Sequence, residues 1–154
     1  KDMGEEQNKG IGFEKWIAQI YEKNGKKNVK HNVLYTINKQ YNIKAQIDVQ
    51  YGRKKPYLIE CKYRQQENKV QFSDMAIFAA KLELLNTPYK KGIMITNTDF
   101  EPRAKWYGHH IQIQLINGEE ILKLYNKQQG TLAKKKKKKI NNLETVLQKE
   151  MNNI

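Results

Sequence analysis

Cysteine occurs once in the 154 residues, at Cys61, and arginine three times, at Arg53, Arg64 and Arg103. A lone cysteine excludes an internal disulfide and any cysteine-cluster zinc site. So few arginines mean that any grip on phosphate falls mainly to lysine, which binds as a point charge rather than as a bidentate fork. No apolar run is long enough to cross a membrane. No secretory signal pattern is present. The phosphate-cradling glycine loops, the dinucleotide fingerprint and a Ser-His-Asp set are all missing. The expectation is an intracellular globular domain, with cytoplasm, nucleus and mitochondrion not distinguished and a removed targeting segment left open.

What is present is positive charge. Lys and Arg number 29 against 16 Asp and Glu, a net charge of +13. The isoelectric point is near 9.7 and the mean hydropathy is -0.89. A surface this basic suits a polyanion, most often nucleic acid. Six lysines form one run: Lys134, Lys135, Lys136, Lys137, Lys138 and Lys139. They are candidates for gripping phosphates without reading sequence. The bland reading is a solvated linker. The A/T-rich codons shared by Lys, Asn and Ile would also enrich lysine with no selection for binding.

Periodicity orders the chain. Phe13, Trp16, Ile17 and Ile20 recur on one helical face. "VKHNVLYTIN", "YNIKAQIDVQY" and "YLIECKY" read as strands, the last two joined by the turn "GRKKP" into an antiparallel hairpin. "SDMAIFAAKLELLN" reads as an amphipathic helix capped by Ser73 or Asp74. "KGIMITN" has the continuous apolar pattern of a central strand. "DFEPRAKWYGHH" predicts a short helix capped by Asp99, and "IQIQLI" a strand. "NGEEILKLYNKQQ" turns and then becomes helical. The order α-β-β-β-α-β-α-β-α implies an α/β domain with a mixed sheet flanked by helices. The domain is expected over residues 10–128. Residues 129–154 are expected to form a lysine-rich segment and a terminal helix with the stripe Ile140, Leu143, Leu147 and Met151.

The hairpin carries charges where a core strand should be apolar. Glu60 and Lys62 share one strand face, while Ile59, Cys61 and Tyr63 share the other. Asp48 lies on the partner strand, within reach of Glu60. Two close carboxylates repel unless a proton or cation intervenes. One or two hard oxygen ligands, with remaining positions left to water and phosphate, suit Mg²⁺. Lys62 is placed to stabilise charge growing on a phosphate. Glu14, flanking the apolar face of the first helix, could join them. A salt bridge of Asp48 or Glu60 with Lys62 is the plainer alternative. Glu67-Asn68-Lys69 repeats the Glu-x-Lys pattern in polar sequence and serves as a decoy. His109 and His110, being adjacent, do not face one spot.

Glu14 on a leading helix, "QID" at 46–48, "ECK" at 60–62 and the downstream "KGIMITNTDFEPRAKWY" together resemble the Mrr-type restriction endonuclease domain of the PD-(D/E)-x-K nuclease superfamily, from about Gly10 to Leu122. The resemblance implies a restriction-endonuclease-like fold with an α-β-β-β-α-β core. It implies hydrolysis of phosphodiester bonds with Mg²⁺ or Mn²⁺, on DNA more readily than RNA. Asp48 and Glu60 would then be metal ligands, Lys62 the catalytic lysine and Glu14 an auxiliary acid. Gln46, Tyr63 and Arg64 would be candidates for contacting nucleic acid. Gln46 stands where many relatives have glycine. Glu60-Cys61-Lys62 stands where many Mrr-like domains have Gln-x-Lys. Two rivals remain. One is a non-catalytic nucleic-acid-binding subunit of a larger assembly. The other is a Holliday-junction-resolvase-like homodimer. Asp48 and Glu60 converging would favour the enzyme, and either one salt-bridged away would favour the subunit.

Overall fold

The computed structural model describes residues 3–132 and 142–152. The lysine run 134–139 and Ile140 lie outside the described residues. Helix α1 (Met3–Lys23) is followed by strands β1 (Lys30–Asn38), β2 (Ile43–Tyr51) and β3 (Tyr57–Lys62). Then come α2 (Phe72–Leu84), a 3-10 turn (Tyr89–Lys91), β4 (Gly92–Thr96), α3 (Pro102–Ile111) and β5 (Gln114–Ile116). Helices α4 (Gly118–Leu132) and α5 (Leu143–Met151) complete the order.

The five strands form one mixed sheet in sequence order. Strands β1, β2 and β3 run antiparallel, because short turns link them. Strands β4 and β5 join in parallel, each after a helical crossover. All five residues of β4 are buried, as its unbroken apolar run predicts.

Two apolar layers sandwich the sheet. One packs Phe13, Trp16 and Ile17 of α1 against Val49, Ile59, Cys61, Ile93 and Ile95. The other packs Met75, Phe78 and Leu82 of α2 against Ile47, Leu58 and Met94. Fully burying side chains of this size contributes about 1.5–3 kcal/mol each. Leu143, Val146 and Leu147 of α5 enter the first layer, and Met151 packs half-buried against it.

Local details differ from the sequence reading in three places. Helix α2 starts two or three residues earlier than a Ser73 or Asp74 cap requires: Gln71 is the N-cap, and its N–H donates to the Asp74 carboxylate at 2.9 Å. The cap of α3 is Glu101, whose carboxylate accepts from the Arg103 N–H. Asp99 instead accepts from its neighbour Phe100 and from Asn117. The strand expected over 111–116 shrinks to Gln114–Ile116. Helix α3 runs on through Ile111 and ends where Gln112 takes the left-handed conformation (φ 73°), which satisfies the last carbonyls.

Candidate active site

The hairpin register Val49↔Ile59, Gln50↔Leu58, Tyr51↔Tyr57 puts Asp48 level with Glu60. Strand pairing stops there. Ile47 and Val49 are two residues apart and should share a face, yet Ile47 enters the α2 layer and Val49 the α1 layer. The alternation therefore breaks at Asp48. On the other side of β2, Asn32 stands opposite Asp48 with φ 57°. The chain crosses from one face of the sheet to the other at this residue, and the gap between β2 and β3 opens beyond it.

The Asp48 side chain fills the missing rung. Its Oδ2 accepts the backbone N–H of Cys61 at 2.8 Å. Glu14 comes in from α1, near enough for the Asp48 and Glu60 charges to act on its carboxyl. Its Oε1 also lies 3.2 Å from Nε2 of His31 on β1. Burial, then the charges of Asp48 and Glu60, push the Glu14 pKa from 4.5 to about 8. Burial, then the Glu60 charge, raises Asp48 as well. Burial pushes the Cys61 thiol up and holds it as a small apolar residue under the site. Burial also lowers His31.

Glu60 is 6% exposed and is held on both oxygens. Lys62 Nζ lies 3.2 Å from Oε2, and Lys81 Nζ, from α2, lies 3.3 Å from Oε1. Lys81 also donates to the Gln46 carbonyl at 2.9 Å. The Gln46 side chain donates to Asn32 Oδ1 at 2.9 Å. The plainer reading of the hairpin is thus present in part: Glu60 and Lys62 do pair, along one strand rather than across two.

Glu14, Asp48, Glu60, Lys62 and Gln46 are brought to one place. Tyr63 sits one step beyond, lining an open polar cleft of about 570 Å³ with Lys9, Gln65, Gln66, Asn68 and the decoy Glu67. Arg64 is turned aside, its guanidinium on Asp74 at 3.1 Å and its backbone clasped by Asn97. His109 and His110 are exposed on α3, and His110 stacks on Trp106. The sequence reading did not identify His31 or Lys81 as site residues. Lys81 has a signal: it borders the apolar stripe Met75, Phe78, Ala79, Leu82. His31 has none, since it depends on the pairing of β1 with β2.

Among the described residues no three His, Cys, Asp or Glu side chains are arranged to hold a metal ion. The donors still fit a hard divalent cation, which needs only one or two carboxylates and completes its shell with water. Burial first, then the Asp48 and Glu60 charges for Glu14 and the Glu60 charge for Asp48, raises both carboxyls, the electrostatic setting a cation would relieve.

No curated protein matches the chain significantly. Among solved structures, it is similar to the crystal structure of AF1548, a protein of unknown function. The TM-score is 0.63 at 21% identity, covering 92% of this chain and 79% of that one. That likeness supports the fold. The restriction endonuclease family model of the Mrr catalytic type matches residues 6–125. The match spans the helix bearing Glu14, the hairpin bearing Asp48, Glu60 and Lys62, and the helix bearing Lys81, and on it the chain belongs to the Mrr-type restriction endonuclease family.

Proposed function

We propose that this restriction endonuclease domain cleaves phosphodiester bonds in DNA with Mg²⁺ or Mn²⁺. The observation that carries the reading is the meeting of Glu14, Asp48, Glu60 and Lys62, from three elements, at the gap between β2 and β3. Asp48 and Glu60 would hold the cation, which supplies a polarised phosphoryl oxygen and a more acidic bound water. Lys62 reaches the same spot and stabilises charge on the scissile phosphate. Glu14 steadies Asp48 from the α1 side. Tyr63 and the polar cleft beside it give the substrate strand a path away from the site.

Incubation with supercoiled, linear and branched DNA and with RNA, with and without Mg²⁺ or Mn²⁺, tests the reading. Metal-dependent cleavage of DNA that disappears in Asp48→Asn is expected. Absence of cleavage of every substrate with either metal would overturn it.

One observation favours a second reading, a non-catalytic binding subunit. Both Glu60 oxygens are paired with lysine, so one contact must break before a cation can be held there. DNA binding without cleavage under any metal condition is what that reading expects.

A further inference from the structure

The described cations differ in their partners. Some are ion-paired within the protein: Lys62 and Lys81 share Glu60, Arg64 pairs with Asp74, and Arg103 with Glu101. At the end of the sheet opposite the site they are not. The stretches 23–30, 51–57 and 86–92 hold nine Lys and Arg and no Asp or Glu. Among the described residues, none of the nine is in an ion pair.

The fold makes these three stretches neighbours. The Gly52 N–H donates to the Lys27 carbonyl at 2.8 Å, and Asn28 Nδ2 donates to the Gly52 carbonyl at 3.3 Å. Tyr51 pairs with Tyr57 across the hairpin, and β4 begins beside Leu58, which brings Lys90 and Lys91 alongside. A stack of three rings runs through the patch, with centroids 5.1 Å (Tyr21–Tyr51) and 4.8 Å (Tyr51–Tyr57) apart. Lys26 Nζ lies 5.3 Å from the Tyr51 centroid, and Lys91 Nζ lies 4.1 Å from that of Tyr57. These cation–π contacts hold two ammonium groups in place, so less freedom is lost when they meet a ligand. Lys54 and Lys55 line an adjoining cavity of about 210 Å³.

Glu22 and Glu83 lie at the margin, Glu83 taken by the Tyr89 hydroxyl, and among the described residues neither pairs with these cations. Like charges gathered without ion-pair partners repel each other and gain most by displacing the cations condensed on a polyanion. We propose that this end of the sheet is a second nucleic-acid surface, which grips the sugar-phosphate backbone outside the segment at the catalytic site. The spacing separates the two. From Tyr57 to Lys62 is roughly 17 Å of strand, about five base-pair steps. The surface would therefore extend the footprint on long DNA and leave the chemistry untouched. It rests on the reading of the domain as one that acts on nucleic acid.

The test is binding to a long random-sequence duplex at several salt concentrations, in an Asp48→Asn background so that cleavage does not interfere. Lys54, Lys55 and Lys91 are replaced together by Gln. A control replaces the exposed Lys105, Lys123 and Lys149 instead, with equal loss of charge. The patch variant should flatten the slope of log K against log salt by up to about 2.7, at about 0.9 per contact, and the control by much less. Equal flattening by both triples, or none by the patch triple, overturns the proposal. So would loss of binding to anionic phospholipid vesicles with DNA binding unchanged, which would assign the surface to a membrane. Because binding alone is read, a domain that cleaves nothing leaves the test intact.

Discussion

Asp48 Oδ2 takes the backbone N–H of Cys61 at 2.8 Å, in the place where a strand carbonyl would otherwise accept it. The carboxylate thus closes the sheet as well as serving the site. Asp48→Asn keeps an acceptor for that N–H and removes only the charge. It should abolish cleavage while preserving the fold and leaving duplex binding equal or tighter, because a repulsive charge is gone. Glu60→Gln should behave in the same way. Wild-type cleavage rates in both variants would show that the site lies elsewhere.

The two lysines on Glu60 should separate. Lys62→Met should lower kcat on the order of 10² or more with little change in KM, as for other lost transition-state contacts. Lys81 competes with a cation for Oε1 of Glu60. Lys81→Met should tighten Mn²⁺ binding by up to about fivefold, the equivalent of about 1 kcal/mol for a partly exposed pair. Calorimetry without substrate reads this directly. Weaker Mn²⁺ binding in Lys81→Met would instead make the lysine a support for Glu60.

Glu14 links stability to pH. Its folded-state pKa of about 8 stands above the ordinary 4.5. The folded state therefore holds the proton more tightly than the unfolded one. The resulting stabilisation is fully present below about 4.5 and is lost as pH rises through about 8. In metal-free buffer the thermal midpoint should fall across that window, and Glu14→Gln should flatten the fall. A wild-type midpoint that rises towards pH 8, or a Glu14→Gln profile that matches it, contradicts the assignment.

Helix α5 should behave as part of the folded unit. Leu147 is 2% exposed among Val146, Leu143 and the α1 side chains. Leu147→Ala should cost about 2–5 kcal/mol in urea unfolding, the usual range for a buried leucine. An unchanged midpoint would make the helix an accessory to an independently stable domain.

Deleting residues 134–139 tests the lysine run. If every lysine meets a phosphate, the salt slope of duplex binding should flatten by up to about 5, with cleavage at saturating substrate retained. An unchanged slope would leave the segment as a spacer.

Periodicity exposed most of the fold. The two faces of β3 could be read from the alternation of Ile59, Cys61 and Tyr63 with Glu60 and Lys62, because that strand is regular. Asp48 and Glu60 stood out because charge inside apolar runs is costly to bury. The kink at Asp48 was hidden. "IDV" looks like ordinary alternation, and nothing local says that Ile47 and Val49 bury on opposite faces. His31 and Lys81 were hidden for a related reason: each reaches Glu14 or Glu60 through tertiary packing, 17 and 21 positions away in sequence. The expected caps of α2 and α3 differ from the observed Gln71 and Glu101 by two or three residues, because Ser73, Asp74 and Asp99 are the ordinary capping types and Gln and Glu are not.

The change of faces at Asp48 makes β2 act as a hinge between two dry layers, with one residue as its pin. A single-residue insertion between Gln46 and Tyr51 would drive a carboxylate into one layer and pull an aliphatic side chain out of the other. An apolar residue at 48 would ease the crowding of like charges and empty the site. In this stretch the chain carries a local conflict that a sequence chosen for stability alone would remove.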